Sequence, residues 1–128
     1  MDDDPPAAPD GRDLRACFVN CSLERDRAAS HTELLLNASA QLLDGCGVAV
    51  DRIHLAEHPV APGVYPDMRE HGWAEDAWPA LWPRILEADI LVVGTPIWLG
   101  EESSLCRTLI ERLYGMSGEL NAQGQSVF

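Results

Sequence analysis

Ile90-Leu91-Val92-Val93-Gly94 is an unbroken apolar, largely β-branched run bounded by Asp89 and Gly94. A run this short reads as a strand, and its continuous apolar character predicts burial on both faces, as at the centre of a parallel sheet. On its N-terminal side, Glu75 and Asp76 suit the positive end of a helix, and Pro79 is tolerated in a first turn. Trp78 and Trp82 fall four apart on one face, and Pro83 predicts a kinked helix that ends near Leu86. On its C-terminal side, Ser103 or Ser104 can cap a helix whose Leu105, Leu109 and Leu113 share a face and which ends at Gly115.

Further out, Leu14-Arg15-Ala16-Cys17-Phe18-Val19-Asn20 is a mostly apolar run that gives way to a polar loop, and predicts the first strand. Ser30-His31-Thr32-Glu33 has the form of a capping box, with the Ser30 hydroxyl on the third amide and Glu33 reaching back to the Ser30 amide. The helix it opens carries a predicted apolar stripe of Leu34, Leu35, Ala38, Leu42 and Leu43, and Gly45 or Gly47 can end it in a left-handed conformation. Residues 48–55 predict a second strand, better suited to a sheet edge than to its centre. Residues 56–74 form a connection rich in Pro, Gly and charge, longer than loops without a function usually are. Strand and helix alternate three times, which predicts a parallel three-layer α/β fold with right-handed crossovers.

The chain has 128 residues and a net charge of -12, and its nine cationic side chains are all arginine. That length allows one domain. An acidic chain without a basic block is a poor partner for nucleic acid or an anionic membrane, and no segment approaches the roughly 20 apolar residues of a membrane helix. Residues 1–13 hold five aspartates and three prolines and no large apolar side chain, and are expected to form a disordered acidic tail. Met1-Asp2-Asp3-Asp4-Pro5-Pro6 lacks the basic and then apolar character of a secretory signal, so the cytoplasm is the expected compartment. The four cysteines do not have the spacing of zinc or redox pairs and are expected to be free thiols.

Ligands of open parallel sheets bind beyond the carboxyl ends of the strands. Two loops lie there. In residues 20–30 the backbone amides and the hydroxyls of Ser22, Ser30 and Thr32 can cradle an anion at a helix N-terminus, with Arg25 and Arg27 adding charge. The alternative is that Ser30 only caps and the arginines only solvate the loop. In residues 94–104, Ile97, Trp98 and Leu99 stand together at the strand mouth, where they cover a flat apolar ligand, fold back over the core or pack on another subunit.

Taken together, the two loops resemble the flavodoxin-like NADPH-dependent FMN reductase family and its multimeric flavodoxin relatives. Ala88-Asp89-Ile90-Leu91-Val92-Val93-Gly94-Thr95-Pro96-Ile97-Trp98-Leu99-Gly100, then Ser103-Ser104 and Glu111-Arg112-Leu113, carries the resemblance most specifically, and Asn20-Cys21-Ser22-Leu23 with Ser30-His31-Thr32 more loosely. It implies a flavodoxin-like doubly wound fold over residues 14–128, in which only strands 2-1-3 are evident and the chain stops before a fourth. It further implies FMN as cofactor, its phosphate held by Ser22, Ser30 and Thr32. The isoalloxazine ring would then lie on Thr95, Pro96, Ile97, Trp98, Leu99 and Gly100, and NAD(P)H would deliver hydride to the flavin. The protein then supplies position and electrostatics rather than a catalytic acid or base. The implied activity is reduction of flavin, quinone or another small electron acceptor by a homo-oligomer. The alternatives are a truncated, inactive relative that serves as an interaction module, and a flavodoxin-type electron carrier.

The remaining conspicuous residues fit structural roles. Cys106 reads as a small buried side chain. His54 and His58 lie on a strand and the loop after it, a poor arrangement for a shared metal. Trp73, Trp78 and Trp82 read as a packing face or subunit contact. The tail and the long connection take a quarter of the chain, which leaves room for three strand–helix units.

Overall fold

The computed structural model describes residues 10–127; residues 1–9 and 128, and with them most of the expected tail, lie outside the described residues. Residues 10–13 form a turn in which the Gly11 amide donates to the Cys46 carbonyl at 2.7 Å. The elements run β1 (Arg15–Asn20), α1 (His31–Gly45), β2 (Ala49–His54), α2 (Trp78–Leu86), β3 (Ile90–Gly94), β4 (Ile97–Trp98), β5 (Glu101–Glu102) and α3 (Ser104–Gly115). β1 pairs in parallel with both β2 and β3, giving the flavodoxin-like order 2-1-3.

The order is the expected one, with β1 in the middle, but β3 is not buried on both faces as its apolar run predicts. Ala16, Cys17, Phe18 and Val19 are no more than 2% exposed, whereas Leu91 and Val93 of β3 are each 39% exposed. The reason is topological: the two crossovers place β2 and β3 on opposite sides of β1, and among the described residues no strand pairs with the outer edge of β3. Small side chains at Ala16 and Cys17 give β1 a weaker apolar signal than β3, although only β1 is covered on both faces.

Helix α1 corrects a second expectation. Its buried residues are Leu36 and Ala40, with Leu43 partly buried, while Leu34, Leu35 and Leu42 of the predicted stripe are 65–75% exposed and Ala38 is exposed. Three consecutive leucines allow two stripes at helical spacing, so apolar periodicity leaves the helix phase undecided. A polar contact settles it: the Glu33 carboxylate accepts from the Asn20 side chain at 2.7 Å. Leu36, Ala40 and Leu43 share the Glu33 face, and a Cβ on Gly94 would meet Leu36 at 2.9 Å. Gly47, at φ +86°, follows the helix end in the expected left-handed conformation.

On the opposite face α2 and α3 cover a larger core of Cys17, Val19, Ile53, Leu55, Trp78, Leu81, Trp82, Ile85 and Leu109. Trp78 and Trp82 stack with centroids 5.9 Å apart, whereas Trp73 lies outside the helix and is half exposed. α3 buries Cys106, Leu109 and Arg112, with Leu105 and Leu113 only partly covered.

Arg112 explains the long connection. Its guanidinium donates to the carbonyls of Ala61, Tyr65 and Pro66 and to the Asp76 carboxylate, all at 2.8–3.0 Å, and lies 5.5 Å from the Trp78 ring centroid. Asp76 stands at the start of α2 as expected, accepting the Trp78 amide, but it is buried and also takes the amides of Ala61 and Met68. Burial alone would raise its pKa, but the Arg112 hydrogen bond and the two amides of Met68 and Trp78 outweigh it and hold the carboxyl below its ordinary range. Residues 56–74 are thereby wrapped around one buried ion pair, with short 3-10 turns at Leu55–Glu57 and Met68–His71. Midway, the connection passes so close to α3 that a Cβ at Gly115 would meet the Val64 carbonyl at 2.4 Å.

Candidate functional site

Parallel register brings Asn20, His54 and Gly94 to the same level at the carboxyl end of the sheet. Beyond them the two loops are stitched together. The Cys21 amide donates to the Gly94 carbonyl at 2.7 Å, which extends the β1–β3 ladder by one bond. The Ser103 hydroxyl donates to the Cys21 carbonyl at 2.6 Å and accepts from the Cys106 amide at 3.1 Å, so the residue that caps α3 also clamps the first loop. Burial and the neighbouring Cys106 push the Cys21 thiol well above its ordinary range, and burial with the nearby Asp51 charge pushes Cys17 up to about 11. Both thiols stay protonated and poorly nucleophilic at neutral pH.

The first loop is held by its own polar groups. The Ser22 amide donates to the Asn20 side-chain carbonyl at 2.8 Å, and the Glu24 amide donates to the Ser22 hydroxyl at 3.2 Å. Ser30 caps α1 by accepting from the Glu33 amide at 3.1 Å. Only half of the capping box forms. The Ser30 amide donates to the Arg27 carbonyl, and the Glu33 carboxylate goes to Asn20 instead. The Ser30 hydroxyl accepts from Glu33 and, at 3.4 Å, from Asn20, which leaves its own proton to donate. The amides of His31 and Thr32, in the first turn, have no acceptor within the helix.

The second loop is more regular than expected. Ile97–Trp98 and Glu101–Glu102 pair antiparallel around Leu99 and Gly100, whose φ values of 52° and 81° are those of a type I′ hairpin turn. A fully exposed leucine in the left-handed region is strained by about 1 kcal/mol. The Thr95 hydroxyl donates to the Pro96 carbonyl and accepts from the Ser103 amide, so Thr95 fixes the base of the hairpin.

Between the loops lies a cleft of about 400 Å³, lined from the first loop and the start of α1 by Ser22, Leu23, Glu24, Ser30, His31 and Thr32 and from the second loop by Pro96 and Trp98. Five of the nine residues singled out in the sequence, Ser22, Ser30, Thr32, Pro96 and Trp98, thus line one cavity. Thr95 supports it from behind, and Ile97, Leu99 and Gly100 belong to the exposed hairpin rather than to the cleft wall. Of the two arginines, Arg27 is held by both Glu57 oxygens at 2.9 Å and Arg25 is exposed. Sequence reasoning did not find Asn20 or His54, which hold the loop from below. The one signal available was a polar residue closing each apolar strand.

A three-layer α/β domain with order 2-1-3 and a cleft at its carboxyl edge defines a flavodoxin-like protein. The pattern of the NADPH-dependent FMN reductase family matches residues 15–125, and the chain belongs to that family. A protein of Mycobacterium bovis described as divalent metal cation transporter MntH is 49% identical over 115 residues, which cover 90% of this chain and 17% of that protein. The 8-demethyl-8-aminoriboflavin-5′-phosphate synthase of Streptomyces davaonensis is 31% identical over 113 residues, covering 84% of this chain and 44% of the synthase. The crystal structure of RosB with bound 8-demethyl-8-formylriboflavin-5′-phosphate superposes with a TM-score of 0.73 at 30% identity, over 85% of this chain and 45% of RosB. The chain spans less than half the length of the relatives it matches. Among its described residues, no helix is long and apolar enough to cross a membrane.

Proposed function

We propose that the cleft binds FMN and that the chain provides the phosphate end and one ring-contacting wall of an NAD(P)H-dependent oxidoreductase. The observation that carries this reading is the make-up of the cleft, to which the first loop and the start of α1 contribute hydroxyls and helix N-terminal amides and the second loop contributes Trp98 and Pro96. Its volume lies in the usual range for a small-ligand site. Ser22, Ser30 and Thr32 would hold the phosphate, and Trp98 and Pro96 the ring, with Thr95, Ile97, Leu99 and Gly100 presenting the hairpin to it. A bound flavin supplies the hydride chemistry, and the chain's own residues position it and exclude water from the ring. Neither protonated thiol takes part. A small-molecule electron acceptor, self-association and a cytoplasmic site belong to the same proposal.

A second reading, favoured by the outer edge of β3 with its half-exposed Leu91 and Val93, is that the chain holds flavin but does not turn over by itself, as an interaction module or an electron carrier would. Titration of the purified chain with FMN separates the readings. The expected result is saturable quenching of flavin fluorescence, followed by flavin-dependent consumption of NAD(P)H. Quenching without consumption supports the second reading, and the absence of any spectral change overturns both.

A further inference from the structure

His54, which neither the sequence motifs nor the family resemblance assigns, closes β2 with its ring 1% exposed beneath the first loop. Its Nε2 lies 2.6 Å from the Glu24 carbonyl. A carbonyl only accepts, so Nε2 carries the proton and donates. The other nitrogen, Nδ1, is buried without a hydrogen-bond partner and is 3.9 Å from the Glu33 carboxylate. An imidazole with one orphaned nitrogen is a poor space filler, because an apolar side chain of similar volume would lose nothing to desolvation. What His54 adds is therefore its single bond to the loop.

That bond completes a chain of contacts. The Glu24 amide rests on Ser22, the Glu24 carbonyl on His54, and the Glu24 carboxylate accepts from the Asp26 amide at 3.0 Å. Glu24 lines the cleft, and a carboxylate turned into it repels an anionic ligand. Pinning the peptide groups on both sides of Glu24 keeps the carboxylate turned onto Asp26 and keeps Ser22 facing the cleft. We propose that His54 is a positioning residue for the phosphate end of the site: its bond to the Glu24 carbonyl fixes the loop that tells phosphorylated flavin from riboflavin. The inference rests on the reading of the cleft as an FMN site.

The test compares FMN and riboflavin affinities of the wild-type chain, H54L and H54Q by fluorescence titration, with thermal melting of each. In H54L the loop bond is gone, and FMN binding weakens about tenfold, the effect of one lost hydrogen bond, while riboflavin binding stays within about twofold. H54Q can place an amide N–H where Nε2 lies and restores most of the preference for FMN. Equal weakening toward both flavins, or an unchanged ratio in H54L, overturns the positioning role while leaving the FMN reading intact. Absence of FMN binding by the wild-type chain overturns that reading and this inference with it.

Discussion

The two faces of the sheet hold their helices by different means. On the α2/α3 side, two stacked tryptophans and a fully buried Arg112–Asp76 pair lock helices and the long connection into one unit. On the α1 side the buried set is only Ala16, Phe18, Leu36, Ala40 and Val48, and α1 is oriented by the contact of Glu33 with Asn20 as well as by packing. Most of the α1 leucine surface faces outward. The first face is built for stability; the second carries the loop that shapes the cleft, and its helix is set by the same polar groups that set that loop.

The largest expected effect lies on the first face. Arg112→Ala leaves Asp76 buried without its cation and three carbonyls without a donor, and should cost about 3–5 kcal/mol in chemical denaturation. Arg112→Met, which also fills the space, should lose less when combined with Asp76→Leu than alone; equal losses would show that the pair contributes packing only.

Acid should act on the same pair. The folded Asp76 carboxyl titrates below its ordinary value of 3.8. Its stabilisation is therefore complete above that value and is lost as pH falls through the lower folded value. Melting temperature between pH 5 and 2 should drop for the wild type, and the drop should be shallower in Asp76→Asn. Parallel curves would place the acid sensitivity elsewhere.

On the thinner face the contrast is between neighbouring leucines. Leu36→Ala should destabilise by about 2–4 kcal/mol and Leu35→Ala by less than about 0.5 kcal/mol, as read from unfolding midpoints. Similar losses at both positions would mean that the exposed leucines are covered in solution, as in a self-associated form. The smallest effect belongs to the hairpin. Leu99→Asn gives the turn the residue pair that type I′ geometry favours and should stabilise by about 0.5–1 kcal/mol. A simultaneous loss of FMN affinity would identify the strained leucine as a ring contact.

These contrasts follow what could be read from the residues. The strands, the Ser30 cap, the start of α3 at Ser103 and the grouping of Ser22, Ser30 and Thr32 rest on local rules, because a cap is made by atoms a few residues apart and a strand is signalled by a short run of apolar side chains. The burial of β3, the phase of α1 and the roles of Asp76 and Arg112 were misread or missed. Each depends on a partner distant in sequence: Arg112 on Asp76 and the 61–66 backbone, Glu33 on Asn20, His54 on Glu24. A lone arginine in a helix looks solvated until the loop that wraps it is in place.

The sequence by itself determined the alternation of strands and helices, the two loops at the strand ends and the family to which they belong. Only the tertiary structure decided which faces of the strands are covered, which leucines face the core and which side chains hold the cleft open. Period and capping are local properties of a chain, whereas burial and the pairing of a polar group exist only once distant segments have met.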